Sequence, residues 1–380
     1  MANDAAVRLD ADEALRQRAR LDGPPKVDRT RHTLAATKAG TGAVALARAL
    51  WQASRAPGRL TSDEYFYYRL YDPALSDADR RRYVGKRAQK PMHDTCNDAR
   101  WYATADDKAL FYTIMRGLGL PVPETIAAYE RGNRAMPWPV LRDEDAVRRF
   151  LAEGTAYPVF AKPCDGMYSI GALDLAGIGG GFVLLGDGGR VTLDELLKYV
   201  AGLGRAGYLF QRRLKPHPVL AEHFGTTVGA ARLLVLLGPD GPSIESAVVK
   251  IPRSANVADN FWRAGNMLGA LDPVEGRILR AISGVGEDVQ EHETHPETGA
   301  AIRGLCLPDW AKGREICLRA ASAFPAIRTQ SWDVALTDAG PVLLEFNFGG
   351  DLNLHQLAHR RGALSDRYIE HLRRCGYTRL

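Results

Sequence analysis

The sequence predicts an α+β fold, and three observations lead to that prediction. The chain has 380 residues, of which 46% are hydrophobic and 25% are charged, an ordinary globular composition that is long enough for two or three cores. Capped helices and strand-like runs are mixed from about residue 104 onward without a strict strand–helix–strand alternation. The last third of the chain also contains an antiparallel hairpin, at 331–351. This order favours an α+β arrangement over a doubly wound parallel sheet.

Residues 1–100 are predicted to be helical and polar, because they are rich in Ala and Arg. The aromatic run EYFYYRLY, at 64–71, is the expected point of docking onto the rest of the chain. We find no pattern in this region that indicates chemistry.

The next elements are two helices and a strand. Thr104, with Asp107 three residues later, has the spacing of a capping box and predicts a helix that ends at Gly117. A second helix is predicted at 143–153. The segment YPVFAK is predicted to be a strand, and it leads into the loop PCDGMYSIGA at 163–172.

The remaining elements follow from apolar runs and caps. Thr192 and Glu195 cap a predicted helix at 193–203. Residues 280–310 are predicted to be a loop, 310–324 a helix, and a final helix starts near Leu354. Four further runs are predicted to be strands: FVLLG, YLFQRRL, AARLLVLLG and SIESAVVKIP.

The hairpin at 331–351 is the most informative segment. Residues 334–337 and 342–346 are strand-like, and Asp338-Ala339-Gly340 between them is typical of a three-residue turn. A ladder centred on Ala339 places Asp333 directly opposite Glu345, where Cβ atoms lie roughly 4.5–5.5 Å apart.

Asn347 follows Glu345 by two residues, so strand alternation sends both side chains to the same face as Asp333. Two carboxylates and an amide oxygen suit a hard cation such as Mg²⁺ better than Zn²⁺. The alternative is a surface hairpin whose polar side chains face water. Glu345 lies inside the apolar run VLLEF, where an unpaired charge would be costly, which favours the metal site.

Composition and charge exclude several classes. The five cysteines are scattered without a CxxC pair, so we expect neither a zinc site nor disulfides, and the cysteines are predicted to be small buried hydrophobes. The net charge of +5 comes from short basic clusters and suits an anionic small substrate better than nucleic acid. The N-terminus lacks an apolar signal region and no apolar run is long enough to span a membrane, which predicts a cytoplasmic protein.

Two motifs are set aside. GLGRAG, at 202–207, matches G-x-G-x-x-G, but it follows a predicted helix and precedes a strand, the reverse of a dinucleotide-binding turn. His355 and His359 are four residues apart and could bind a metal from one helical face. We expect them instead to face solvent or to cap a helix, because no HExxH motif surrounds them.

Lys162 ends a predicted strand and leads into a loop with glycines at both ends, Gly166 and Gly171, and a hydroxyl at Ser169. Backbone amides and a hydroxyl in such a loop can bind phosphate oxygens while the lysine supplies positive charge. A solvated lysine is the alternative. Lys108 is a weaker candidate, because it lies in the first turn of a helix, where the helix dipole repels a cation unless an anion is near.

Taken together, these features resemble the ATP-grasp superfamily, and most closely its sugar-transfer-associated branch. The resemblance covers roughly residues 60–360. It implies two α+β lobes that grip ATP, with a helical region at 1–100, an N-terminal lobe at 101–210 and a C-terminal lobe at 211–380. The motifs that carry it are EYFYYRLY, DDKALFYTIMRGLGLPVP, AKPCDGMYSIG, QRRLKPHPVL, VGAARLLVLL, VADNFWRAGN, LPDW and the final hairpin.

The resemblance also implies roles for individual residues. Lys108, Lys162 and the loop with Gly166, Ser169 and Gly171 would contact the phosphates, and Gln211, Arg212 and Leu214 would line the adenine pocket. Arg232 and Lys250 would face the γ-phosphate or the acyl substrate, and Asp333, Glu345 and Asn347 would hold Mg²⁺. Gln211 replaces the carboxylate of many relatives, Lys250 stands where the branch often has arginine, and Ala264-Gly265 replaces a Gly-Gly pair.

The implied activity is an ADP-forming ligase that activates a small-molecule carboxylate as an acyl-phosphate and transfers it to an amine, thiol or similar nucleophilic co-substrate. A kinase that phosphorylates a hydroxyl and a non-catalytic nucleotide-binding protein are the alternatives. The substrates and the oligomeric state cannot be read from the sequence. Candidate substrate contacts, each of which could equally be packed or solvated, are Arg232, Asp259, Asn260, Arg263, His295 and Trp310.

Overall fold

The computed structural model of the protein describes residues 7–21, 25–153, 157–253, 259–261 and 265–380. In these residues the architecture is mixed α+β, with helices around two seven-stranded sheets. The predicted fold class is therefore confirmed. None of the helices in the described ranges is long and apolar enough to cross a membrane.

The N-terminal region is helical, as predicted. Thr61 and Glu64 form a reciprocal capping box at the start of the fourth helix, which satisfies backbone amides that would otherwise lack partners. The helices of this region are α1 (Ala11–Leu21), α2 (Arg29–Lys38), α3 (Ala43–Arg55), α4 (Ser62–Tyr67), α5 (Asp77–Arg81) and α6 (Lys86–Cys96).

Two helices connect this region to the first sheet, α7 (Ala103–Asp106) and α8 (Lys108–Gly117). Helix α8 ends at Gly117, as predicted, but its cap is Asp107, whose side chain accepts from the Leu110 amide. The capping role predicted for Thr104 is wrong. Thr104 lies inside α7, and its hydroxyl donates to the Trp101 carbonyl at 2.6 Å.

The first sheet has the strand order β2-β1-β7-β3-β4-β5-β6. Helix α10 begins with the predicted Thr192–Glu195 capping box and packs through Leu196 and Val200 against Val159 and Ala161 of β3. The elements are β1 (Thr125–Tyr129), β2 (Val140–Leu141), α9 (Glu144–Ala152), β3 (Val159–Pro163), β4 (Leu173–Gly179), β5 (Phe182–Leu185), β6 (Arg190–Thr192), α10 (Leu193–Leu203) and β7 (Tyr208–Arg212).

The second sheet has the order β12-β11-β10-β9-β8-β13-β14. The loop predicted at 280–310 is wrong in part, because β11 pairs with β10 and with the edge strand β12 there. The elements are α11 (Pro218–Phe224), β8 (Ala230–Gly238), β9 (Gly241–Ile251), β10 (Met267–Leu271), β11 (Ile278–Ser283), β12 (Gln290–Glu291), α12 (Trp310–Ala321), β13 (Thr329–Thr337), β14 (Gly340–Phe348), α13 (Leu352–His359) and α14 (Asp366–Arg374).

The two faces of the second sheet are covered by different parts of the chain. On one face, Leu233 and Trp332 pack with Phe111 of α8 and with α12. On the other face, Val248 and Leu268 pack against the aromatic run EYFYYRLY of the N-terminal region. The docking role predicted for that run is confirmed, and α2, α3 and α4 lie with it on the sheet face that also carries the charged residues described below. Helix α1 instead packs against α10 beside the first sheet.

The chain passes from one sheet to the other between Arg212, which ends β7, and Ala230, which begins β8. The division into 1–100, 101–210 and 211–380 stays a prediction. The motif GLGRAG lies between α10 and β7, so it has the helix-before-strand order that argues against dinucleotide binding.

His355 and His359 on α13 do not face solvent, so that prediction is wrong. They point at β9, where the Nδ1 of His355 lies 3.0 Å from the Ser246 hydroxyl and the Nε2 of His359 lies 2.8 Å from the Ala247 carbonyl. Burial lowers the pKa of His359 to about 4 and lowers that of His355 well below its usual value.

These histidines predict a loss of stability in acid. A histidine with a folded pKa below its unfolded value of about 6.5 stabilises the fold fully above that pH, and the contribution is lost as pH falls towards the folded pKa. The free energy of unfolding should therefore drop between pH 6.5 and 4, as measured by urea titration. His359→Gln should make that drop about 3 kcal/mol smaller at pH 4. The control His223→Gln, on α11, should leave the drop unchanged. Equal pH profiles for the two variants would contradict the prediction.

Candidate active site

A cavity of about 200 Å³ lies between the two sheets. The register of the first sheet explains one wall, because Phe160 of β3 pairs with Gln211 of β7, and Lys162 pairs with Leu209. Paired residues share a sheet face, so the side chains of Phe160, Lys162 and Gln211 point to the cavity while the intervening residues enter the core.

The opposite wall is the β13–β14 hairpin. Asp333 pairs with Glu345, as predicted, but the predicted turn is wrong. Thr337 pairs with Gly340 across a two-residue turn, and the register then shifts by one at Leu344, which is the extra residue of a β-bulge. The turn and the bulge offset each other, so Asp333, Glu345 and Asn347 still share the predicted face.

Asp333 is 2% exposed and carries the most strongly paired charge of the site. Arg232 donates to both of its oxygens, at 2.7 and 2.8 Å, and Lys250 donates to Oδ2 at 2.9 Å. Burial alone would raise the pKa of Asp333, but the two cations outweigh it and hold the pKa well below its usual range. In this structure, Asp333 acts as the shared counter-charge of Arg232 and Lys250.

Glu345 lies between two cations at a more open position. Its Oε2 is 3.3 Å from Lys108 Nζ, its Oε1 is 3.9 Å from Arg232 Nη2, and its side chain is 27% exposed. Burial raises and Lys108 lowers the pKa of Glu345, and the net shift is downward. Lys108 is buried and also donates to the Gly166 carbonyl, so the anion that its position on α8 requires is present.

Lys162 enters the cavity from β3. Its Nζ donates to the Tyr112 hydroxyl at 2.8 Å, and that hydroxyl donates to the Leu344 carbonyl at 2.7 Å. Burial lowers the pKa of Lys162, and Glu345 partly opposes that shift. Tyr112 therefore links the lysine of the first sheet to the bulge of the second.

The loop after β3 lies over the same cavity. Gly166 and Ser169 line it, and both Tyr168 and Ser169 have positive φ, at 57° and 56°, a strained conformation that concentrates at functional loops. Asn260 donates from Nδ2 to the Tyr168 carbonyl at 2.6 Å and so holds the loop from the second half of the chain. Gly171 does not line the cavity; its carbonyl accepts from Tyr208.

Gln211, Arg212 and Leu214 all line the cavity. Gln211 is 1% exposed, and its amide donates to the Thr125 hydroxyl at 3.0 Å. Sequence reasoning missed most of the apolar wall, although the alternation of Phe160 with Lys162 was a usable signal. The apolar residues of this wall are Pro123, Phe160, Pro163, Ile170, Ala172, Leu214, Val228 and Leu344.

Asp174 was also missed, and no sequence signal marks it. It lines the cavity, and its Oδ2 lies 3.4 Å from Arg213 Nε. Its Oδ1 is buried without a hydrogen-bond partner among the described residues. Burial raises the pKa of Asp174, which Arg213 partly opposes.

A second cavity, of about 550 Å³, adjoins the first. The two cavities share five lining residues, so they meet at the cluster of charged residues around Asp333 and Glu345, which we call the charged cluster. Arg232 and Asn347 line only the second cavity. The shared residues are Lys108, Gly166, Ser169, Lys250 and Glu345.

The predicted substrate contacts divide into three groups. Arg232 and Asn260 line the second cavity, and Asp259 lines the first, where it accepts from Lys250. His295 and Trp310 line neither cavity. His295 is fully buried, and its Nδ1 accepts from two backbone amides of its own turn, while Trp310 is packed in the core at the start of α12. Arg263 lies outside the described residues.

Solved structures that resemble this chain are ATP-grasp enzymes of low sequence identity. VanG D-Ala:D-Ser ligase from Enterococcus faecalis is 13% identical, with a TM-score of 0.42 over 75% of this chain and 64% of that one. The biotin carboxylase domain of 2-oxoglutarate carboxylase from Hydrogenobacter thermophilus, solved with MgADP and bicarbonate, is 13% identical, with a TM-score of 0.40 over 75% of this chain and 48% of that one. This chain thus spans about half to two thirds of their length.

A comparison with curated proteins gives no match. The model of the family described as sugar-transfer associated ATP-grasp matches residues 87–371, which is well over half of the chain. This match agrees with the resemblance drawn from the sequence motifs. The chain therefore belongs to the sugar-transfer associated ATP-grasp family.

Proposed function

We propose that the protein is an ATP-dependent, ADP-forming ligase that activates a substrate carboxylate as an acyl-phosphate and transfers the acyl group to an amine or similar nucleophile. The observation that carries the proposal is the meeting of two cavities at one charged cluster. Lys108, Lys250 and Glu345 belong to both cavities. A phosphoryl group held there would face a nucleotide on one side and a second substrate on the other.

The first cavity suits ATP. Its apolar residues offer walls for a purine, and the buried Oδ1 of Asp174, which has no partner among the described residues, is an acceptor of the kind that an adenine amine needs. The backbone amides of Arg212 and Arg213 donate to the carbonyls of Glu124 and Pro158. The next residue along the chain, Leu214, is therefore the one whose backbone amide can reach a ring nitrogen of the purine. Lys108 and Lys162 would neutralise the phosphates.

The charged cluster suits Mg²⁺ through its oxygen donors. Glu345 is partly open, and Asn347 lies beside it on the same face and lines the second cavity. These two residues would hold the ion most directly. Both carboxylate oxygens of Asp333 accept hydrogen bonds from Arg232 and Lys250. Asp333 would therefore bind the ion directly only if those two side chains moved. The ion would supply charge neutralisation on the phosphates.

The second cavity is the proposed site of the carboxylate and its acceptor. The N-terminal helices contribute to it, since Arg18 of α1 and Lys86 of α6 line it. Arg18 lies 3.7 Å from Asp165, and Lys86 lies 3.6 Å from Asp351. This gives the N-terminal region a role in binding that its sequence did not indicate.

In the proposed reaction, a carboxylate oxygen of the substrate forms a bond to the γ-phosphorus, and the bond from that phosphorus to the β,γ-bridging oxygen breaks to release ADP. The nucleophile then attacks the acyl carbon, phosphate leaves, and the proton of the nucleophile passes to solvent or a nearby base. Arg232 and Lys250 would stabilise the charge on the transferred group, which is the main protein contribution in phosphoryl transfer.

The alternative is a kinase that transfers the same phosphoryl group to a hydroxyl. Asp106 supports this alternative, because it lines the second cavity and its carboxylate could accept the proton of a hydroxyl substrate. A kinase would release a stable phosphate ester and form no acyl-phosphate.

We expect hydroxylamine to trap the acyl-phosphate. The protein, incubated with ATP, Mg²⁺ and a panel of carboxylic acids, should release ADP and form a hydroxamate in equal amounts, measured by a coupled ADP assay and by mass spectrometry. The matched control is Lys162→Met, which removes a predicted phosphate contact and should lower both products together. If ADP release were accompanied by a phosphate ester and by no hydroxamate, the protein would be the kinase and the ligase proposal would be wrong.

A further inference from the structure

The cysteines do not all behave as the sequence predicts. Cys96, Cys164 and Cys317 are buried, as expected, but Cys306 is exposed and Cys375 is half-buried. Cys375 is the C-cap of α14 and Cys96 is the last residue of α6, so helices from opposite ends of the chain bring their sulfurs to one place.

We propose that Cys96, His371 and Cys375 form a Zn²⁺ site remote from the ATP site. One donor atom from each residue lies within 4.8 Å of the other two. His371 and Cys375 are four residues apart around the end of α14, a spacing that puts two ligands on one side of a helix. The spacing rule applied to the sequence missed the site, because Cys96 is distant along the chain and no CxxC pair exists.

The separation between the His371 and Cys375 donor atoms is close to that in a tetrahedral site. Zn–S bonds of about 2.3 Å and Zn–N bonds of about 2.0 Å place sulfur and nitrogen ligands about 3.5 Å apart. His371 Nε2 lies 3.6 Å from Cys375 Sγ. The separation therefore needs little adjustment to admit the ion.

The surroundings fix the ligands and leave a fourth position. Arg328 donates to the carbonyls of Cys96 and Cys375, at 3.1 and 3.3 Å, which holds both backbones. The Thr329 hydroxyl lies 3.0 Å from His371 Nε2. Three protein ligands leave the fourth place to that hydroxyl or to a water, and the partial exposure of Cys375 gives the ion a path from solvent.

Such a site would fasten three parts of the fold. Cys96 belongs to the N-terminal region, His371 to the last helix, and Thr329 begins β13, the strand that carries Asp333. The ion would thus stabilise the packing of α6 and α14 on the second sheet, and the binding free energy would add to folding. Two sulfurs alone would equally suit a disulfide, but the converging histidine nitrogen favours a metal.

The test measures zinc directly and does not depend on ATP turnover. The reduced full-length protein is equilibrated with Zn²⁺, freed of excess ion by gel filtration, and analysed for metal, and Co²⁺ is titrated as a spectroscopic probe of thiolate ligation. We expect one zinc ion per chain, thiolate-to-cobalt charge-transfer absorption, and a higher melting temperature with zinc. Cys375→Ser should lower the metal affinity at least about 100-fold, since even the loss of a residue that orients a ligand costs 10- to 100-fold.

Cys306→Ser is the matched control, because it removes an exposed cysteine elsewhere and should leave zinc binding unchanged. In the wild-type protein, zinc should protect the half-buried Cys375 from alkylation while the exposed Cys306 reacts with or without the ion, a readout that holds even if a variant folds poorly. Absence of zinc from the reduced protein, or equal affinity in Cys375→Ser, would overturn the proposal. So would a Cys96–Cys375 disulfide in a protein that binds no zinc after reduction.

Discussion

Glu345→Gln is expected to lower ATP turnover by about 100- to 1,000-fold, the cost of removing one group that stabilises transition-state charge. The variant keeps the size and an oxygen of the side chain but removes the negative charge that lies 3.3 Å from Lys108. Because Glu345 is partly exposed and Lys108 retains the Gly166 carbonyl, the free energy of unfolding should change by only about 1–2 kcal/mol. Steady-state ADP release and urea denaturation measure the two effects.

The same hairpin supplies a matched control. Asp338 lies exposed at the turn, where its backbone amide donates to the Lys215 carbonyl. Asp338→Asn makes the same change of charge on the same element and should keep full turnover. If Glu345→Gln retained more than about a tenth of the wild-type rate at saturating Mg²⁺, Glu345 would have no place in holding the metal or the phosphates.

The hairpin shows how far the sequence could be followed. The pairing of Asp333 with Glu345 was predictable because both strands carry clear patterns, but the turn length was not. From the Asp333–Glu345 pair outward, a two-residue turn with a bulge at Leu344 gives the same partners as a three-residue turn without one. Alternation along strands cannot distinguish the two arrangements, since the bulge changes only the residues nearer the turn.

Residues contributed by distant segments were the hardest to predict. Asp174 is one polar residue in a strand, and its place in the cavity depends on how β4 pairs with β3. Arg18 reaches the second cavity because α1 packs on α10 beside the first sheet. Lys86 reaches it because its backbone amide is held by Glu64 of the aromatic run, which docks on the second sheet. The run itself predicted docking, but no local pattern indicates which face it covers.

Asp333→Asn is expected to cost about 3–5 kcal/mol of unfolding free energy, as well as turnover. If Asp333 were only the metal ligand that the sequence predicts, its loss would lower turnover with little unfolding. The structure instead buries it between Arg232 and Lys250, and removing one partner of a buried ion pair leaves uncompensated charge. Urea denaturation should show a lower midpoint with an unchanged slope.

A second substitution separates charge balance from chemistry. Asp333→Asn leaves the charge of Arg232 unpaired, and adding Arg232→Met removes that charge. The double variant should therefore lose less unfolding free energy than the sum of the two single losses. Lys250 keeps Asp259 as its partner at 3.2 Å in both variants. Turnover should stay low in the double variant, because Arg232 lines the second cavity and its charge is lost from the site of phosphoryl transfer. Additive losses of stability would mean that Asp333 contributes by packing and not as the counter-charge of Arg232.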